Sequence, residues 1–293
     1  MSDEWKSGSY VGKHLTTTEY AVTPELVQDY IARTLDTNPW YVSDSPFGGP
    51  VAPATLLFAH AHLHNDDWYL PIRYGNLHTK QEWWFYQPAM VGDTILATRT
   101  ISDRYSKRGR DYVVCDVTIL DRDGVLLARS RSHQSFLQDA AAKGVIVDRA
   151  REQRPDRKFD PGAGEVVERF GPVSRLVDQA LSDRFVGEGG RNYHNDAAEA
   201  EKLGFPEIVV QGTLPICFLN ELMSNQFGAG WWRGGRMSVN LVNVIWLNED
   251  VHARGVIREW RNEGERRRAD CEIWTEKSDG AVTIIGTASA PSG

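Results

Sequence analysis

The chain has 293 residues, 41% of them hydrophobic and 25% charged, and a net charge of −7. Such a composition suits one large globular unit or two ordinary ones, and its acidic balance argues against general nucleic-acid binding. The three cysteines, Cys115, Cys217 and Cys271, form no CxxC pair, and no apolar run reaches the length of a membrane span. A cytoplasmic protein with no membrane partner is expected, since the first residues also lack the apolar core of a signal peptide.

The first element predicted in chain order is a short helix over 23–35, with Thr23 as N-cap and Pro24 in the first turn. A turn cluster follows, Asp36-Thr37-Asn38-Pro39-Trp40-Tyr41. Val51 to Leu63 is apolar enough for a buried helix. Three strands are expected over Thr94–Ser102, Asp111–Leu120 and Val125–Phe136, with Asp123-Gly124 as a hairpin signal. Residues 139–162 are charged and carry two prolines, as a linker would.

The second half repeats the first. Asn192-Tyr193-His194 answers Asn38-Pro39-Trp40-Tyr41, and the apolar stretch Gly212–Phe227 answers Val51–Leu63. Asp279-Gly280 follows Asp123-Gly124 by 156 residues, and at that offset Cys271 falls on Cys115. Landmarks recurring in order at nearly constant spacing indicate a tandem duplication of an α+β unit. Each unit is expected to be a long helix wrapped by an antiparallel sheet, a double hotdog. The boundaries read as 1–140 for the first, 141–164 for the linker and 165–293 for the second. The two units are expected to pair edge to edge, and chains to associate further as homo-oligomers.

The stretches NPWY, PFGGPVAPATLL and FYQPAMVGDTI resemble the N-terminal half of MaoC-like acyl dehydratases. NYHND followed by AEAEKLGFPEIVVQG resembles their C-terminal, hydratase-2 half. The resemblance implies hydration or dehydration at the double bond of an enoyl thioester, with coenzyme A as the carrier and no further cofactor. It places His194 on the family's catalytic histidine and Gly212 on the glycine that holds the thioester oxygen. The family loop reads Asp-x-Asn-Pro-x-His. Here Asn192 lies two residues before His194 instead of three, the proline is absent, and no aspartate precedes it at the family's spacing. Glu188, set among Gly187, Gly189 and Gly190, is the nearby carboxylate able to serve as partner. Asp196 reads as the N-cap of the next helix.

Arg191 and Asn192 are candidate substrate contacts from this loop, with holding the loop as the alternative for Arg191. In the first half, Tyr41 stands where a histidine would be. A tyrosine is a poor base at neutral pH, so Asp36 and Tyr41 read as structural or substrate-lining. Trp84, within Trp83-Trp84-Phe85-Tyr86, and the pair Trp231-Trp232 either narrow an acyl tunnel or belong to the core. His60 and His64 have the i, i+4 spacing of a zinc pair, but a helix C-terminus accommodates histidines without metal, and no metal site is assigned. The basic turns at Arg104–Arg110 and Arg266–Arg268, with Arg129 and Arg131, suit either phosphate binding or solvation.

Because the loop departs from the family pattern, two further readings stand beside hydration. One is an isomerase, lyase or hydrolase acting on a related acyl compound through a lone histidine. The other is a non-catalytic acyl-binding or assembly subunit.

Overall fold

Alternating strands and tight turns organise most of the molecule. The computed structural model describes residues 9–56, 75–137, 160–187 and 190–293. In the first half these form β1 (His14–Ala21), α1 (Pro24–Thr34), β2 (Leu77–Phe85), β3 (Thr94–Lys107), β4 (Arg110–Asp121) and β5 (Leu126–Leu137). The second half contains β6 (Glu168–Val177), α2 (Gln179–Val186), α3 (Ala197–Lys202) and α4 (Thr213–Phe227). It continues with α5 (Ala229–Trp232), β7 (Arg236–Leu241), β8 (Glu249–Glu263), β9 (Arg266–Lys277) and β10 (Val282–Pro291).

All ten strands join one antiparallel sheet in the order β1-β3-β4-β5-β2-β7-β10-β9-β8-β6. The second half of that order mirrors the first. Ends of matching strands, Ala21 and Val177, Arg110 and Arg266, Leu126 and Val282, lie 156 residues apart. So do the β-bulges that begin at Ile101 in β3 and Ile257 in β8. The tight turn between β3 and β4 has both central residues, Arg108 and Gly109, at positive φ, as a two-residue hairpin requires.

The two hotdogs meet where β2 pairs with β7. Glu82 stands opposite Ser238, and these two are equivalent positions of the duplication. The pseudo-two-fold axis therefore passes between them. This seam is continuous backbone pairing, so neither half presents a free edge there.

The helix α4 carries the core of the second hotdog. Eleven of its 15 residues are buried, among them Leu214, Phe218, Leu219, Leu222 and Met223. Burial extends round most of its circumference, which is the pattern of a helix enclosed by sheet. Inside it, Asn220 Oδ1 accepts the indole N–H of Trp231 at 2.9 Å. Trp83, Trp231 and Trp232 are fully buried core residues, and Trp83 stacks on Phe85 with ring centres 5.5 Å apart.

The helix read over 23–35 is α1, with Thr23 Oγ1 accepting from the Leu26 N–H. The helix expected from Val51 is different at its start. Val51 forms a β-bridge to Met90, and helix begins only at Leu56. The rest of that stretch, with His60 and His64, lies outside the described residues, as does most of the expected linker.

Candidate active site

His194 lies on the loop between α2 and α3, and the loop is built from its own polar side chains. Asn192 Oδ1 accepts the His194 backbone N–H at 2.8 Å, and Asn195 Oδ1 accepts that of Asn192 at 2.8 Å. Ser182 on α2 donates its hydroxyl to the His194 carbonyl. Asp196 ends the loop as the N-cap of α3, accepting from Ala198 and Glu199. Asparagine favours such local turns because its side chain substitutes for a backbone acceptor.

The imidazole is held as firmly as its backbone. His194 Nδ1 lies 2.6 Å from the carbonyl oxygen of Val209. A carbonyl accepts only, so Nδ1 carries the proton and Nε2 is the basic nitrogen. Burial pulls the His194 pKa down to about 4, against a smaller upward pull from that carbonyl. The ring is therefore neutral at neutral pH, in the form a general base requires.

His194 faces a cavity of about 420 Å³ that Gly212 also lines. Gly212 is the N-cap of α4 and no side chain caps it. The Leu214 N–H bonds the Gln211 carbonyl and Pro215 has no N–H, so the N–H groups of Gly212 and Thr213 are those this cavity-lining helix start can offer. A Cβ at Gly212 would come within 2.5 Å of Leu241 Cδ2, so close packing by β7 explains the glycine as well. The first hotdog supplies part of the wall through Tyr30, Arg33, Asn76, His78 and Gln134.

His78 is the residue that sequence reasoning misses. Strand alternation, counted back from Lys80, Glu82 and Trp84, puts it on the outer face of the sheet. The register shifts between His78 and Lys80, leaving Thr79 as the extra residue. At that bulge the strict alternation is lost, and Leu77, His78 and Thr79 all line the cavity, with His78 opposite Gln134. Its Nε2 lies 3.1 Å from the Lys80 carbonyl, and burial lowers its pKa to about 4.

The other sequence candidates fall in different places. Asn192 lines the cavity while ordering the His194 backbone. Arg191 points to solvent, with its side chain 85% exposed and 3.6 Å from Asp196. Trp84 lies on the face of β2 opposite the buried Gln81, Trp83 and Phe85, away from the cavity, because alternation allows only one of two neighbouring tryptophans to point inward. Glu188 lies outside the described residues; its neighbour Gly187 has φ 72°.

Asp36 and Tyr41 do not line the cavity. Both are buried, and the Tyr41 hydroxyl donates to Asp36 Oδ2 at 2.7 Å. Burial raises Asp36 to about 6 despite hydrogen bonds from Tyr41 and Asn38 and the charge of Arg175. Glu221 on α4 is raised to about 7, first by burial and then by Asp36, while Arg175 grips both its oxygens.

The hydrogen bonds also correct the pairing of the two loops. Asn38 Oδ1 accepts from the Trp40 N–H as Asn192 Oδ1 accepts from His194. The Tyr41 N–H bonds the Asn38 carbonyl as the Asn195 N–H bonds that of Asn192. His194 thus corresponds to Trp40, and Tyr41 corresponds to Asn195. The histidine reaches the cavity from one position earlier in the turn.

Residues 9–130 match the family described as FAS1-like, dehydratase domain region. No curated protein matches the sequence. Among solved structures, a MaoC-like dehydratase superposes with a TM-score of 0.76 at 17% identity, over 99% of this chain and 100% of the other. The chain has the MaoC-like double-hotdog fold. A Mycobacterium tuberculosis protein described as a double hotdog superposes at 0.63, with 14% identity over 97% of this chain and 99% of its own. The peroxisomal multifunctional enzyme type 2 of Drosophila melanogaster matches at 0.64 with 16% identity, over 94% of this chain and 48% of that longer one. In this double hotdog the cavity opens against the loop of the second unit, and the buried Asp36–Tyr41 pair occupies the matching place in the first.

Proposed function

We propose that this double hotdog adds water to, or removes it from, the double bond of an enoyl thioester, with coenzyme A as the carrier. The observation that supports this most is the meeting of His194 and the Gly212 helix start in one cavity. A neutral imidazole with its basic Nε2 and an uncapped helix start are the two groups such chemistry needs.

In the hydration direction, His194 Nε2 takes a proton from water as the water oxygen bonds to the substrate β-carbon. The double-bond electrons move to the α-carbon and the thioester oxygen, whose negative charge faces the backbone N–H groups at Gly212. The imidazolium then returns its proton to the α-carbon. One group both takes and gives the proton, so addition occurs on one face. Glu188 is the candidate for sharing that load by holding the water. A charged imidazolium in a buried site is costly, so its lifetime is short and the enolate beside it is its counter-charge.

The test is direct. Incubation with crotonyl-CoA is expected to bleach the conjugated thioester absorbance, and His194→Ala to abolish the bleaching. Saturable binding of acyl-CoA without turnover would instead support an acyl-binding subunit. Turnover unchanged in His194→Ala would remove the mechanism.

A further inference from the structure

The wall over Gly212 is built by the seam between the two hotdogs. Strand β2 delivers His78 and strand β7 delivers Leu241, and these are the side chains nearest to the place a Gly212 Cβ would occupy. Leu241 Cδ2 would stand 2.5 Å from it and His78 Cβ 3.9 Å. Both residues line the cavity that holds His194. The pairing of β2 with β7 ends at Lys80 opposite Asn240, and His78 and Leu241 lie just beyond that pair, His78 at the bulge. The ring is fixed by its bond to the Lys80 carbonyl.

We infer that His78, contributed by the first hotdog, is a specificity-determining residue that closes the pocket beside the substrate α-carbon and excludes enoyl thioesters substituted there. The inference rests on the proposed binding of the thioester oxygen at Gly212. With that oxygen at the helix start, the thioester carbon lies against Gly212, and the α-carbon is the next atom along. A methyl group on it must enter space that His78 or Leu241 occupies. Leu241 is an aliphatic side chain with no polar tether, whereas His78 is tethered through its ring nitrogen. The tethered group sets the limit. Pocket fit at this scale discriminates one methyl group by about ten-fold or more.

The experiment compares crotonyl-CoA with 2-methylcrotonyl-CoA in the wild-type protein, His78→Ala and His78→Gln. The wild-type protein is expected to prefer crotonyl-CoA. His78→Ala should shift the ratio of kcat/KM toward the methylated substrate by about ten-fold. His78→Gln, similar in length and able to donate to the Lys80 carbonyl, should keep the wild-type ratio. A ratio unchanged in His78→Ala, with crotonyl-CoA still turned over, overturns the inference alone. So does a wild-type enzyme that takes both substrates equally. Absence of crotonyl-CoA turnover by the wild-type protein overturns the proposed function instead. Should His78→Ala fail to fold, His78→Ser supplies the enlarged pocket with a polar group retained.

Discussion

The Nδ1 of His194 donates to the Val209 carbonyl across 2.6 Å, and this bond decides which nitrogen does chemistry. It also gives the pH dependence a sign. The active form is the neutral ring, so activity is present above its pKa and lost as pH falls through it. The ordinary histidine value is near 6.5, whereas burial holds this one at about 4. The acidic limb of kcat/KM for crotonyl-CoA hydration should therefore sit near 4, with no loss between 7 and 5. His194→Ala should lower kcat by about 10²- to 10⁴-fold, the usual contribution of a positioned general base. A limb near 6.5 would show that His194 is solvated in the working enzyme.

Asn192 acts on catalysis through His194. Its Oδ1 holds the backbone on which the imidazole stands, and it lines the cavity. Asn192→Ala should lower kcat by about ten-fold while leaving KM within about two-fold, because a displaced base loses transition-state geometry first. Asn192→Asp keeps the acceptor oxygen and should recover most of that loss. Equal losses in both variants would assign Asn192 a direct contact with substrate through its amide N–H.

Much of this architecture is legible in the sequence because duplication writes each signal twice. The Asp-Gly turns, strand ends and Cys115 with Cys271 recur at one offset, and the structure keeps that offset down to its bulges. His194 and Gly212 are legible too, since a polar loop histidine and a glycine opening an apolar helix stand out from their surroundings. His78 is not legible. Its inward aim depends on one bulge at Thr79, and no residue type there announces a bulge. The Trp83-Trp84 pair hides its facing for the same reason, because register decides which ring is core. The pairing of His194 with Trp40 is fixed by the Asn38 and Asn192 turns, whereas the family motif's own spacing puts the histidine at Tyr41.

Gly212 is under two demands, and a substitution separates them. A methyl group there meets the mobile end of Leu241 at 2.5 Å. A terminal methyl can move aside, so Gly212→Ala should destabilise the fold by no more than about 1–3 kcal/mol. The same methyl group intrudes at the helix start where the thioester oxygen is proposed to sit. Hydration of crotonyl-CoA should fall by about 10²-fold, the scale of losing one oxyanion donor. A Gly212→Ala variant with a lowered melting temperature and full activity would leave the glycine a packing residue only.

The first hotdog's Asp36 sets up a prediction about stability, not activity. It is buried against Tyr41, and its pKa rises from 3.8 to about 6. The unfolded chain releases this proton near 3.8, while the folded protein keeps it until about 6. Folding therefore takes up a proton between those values, and stability falls as pH rises through that window. Above it the full penalty stands, on the order of 3 kcal/mol for a shift of about two units. His78 and His194 tilt the curve the other way, since burial holds both near 4 and the unfolded chain charges them first. Those histidines are common to wild type and variant and cancel in a difference. Asparagine mimics the protonated carboxyl, with one acceptor oxygen and one N–H that the Tyr41 hydroxyl can turn to accept. Asp36→Asn should thus exceed the wild type by only about 1 kcal/mol near pH 4.5 and by about 3 kcal/mol at pH 8, by urea unfolding at both values. It should also let Glu221 fall from about 7, because Asp36 is the second cause of its rise. A variant weaker than the wild type by the same amount at both pH values would mean that Asp36 serves through its charge, paired with Arg175, and that burial does not dominate at this position.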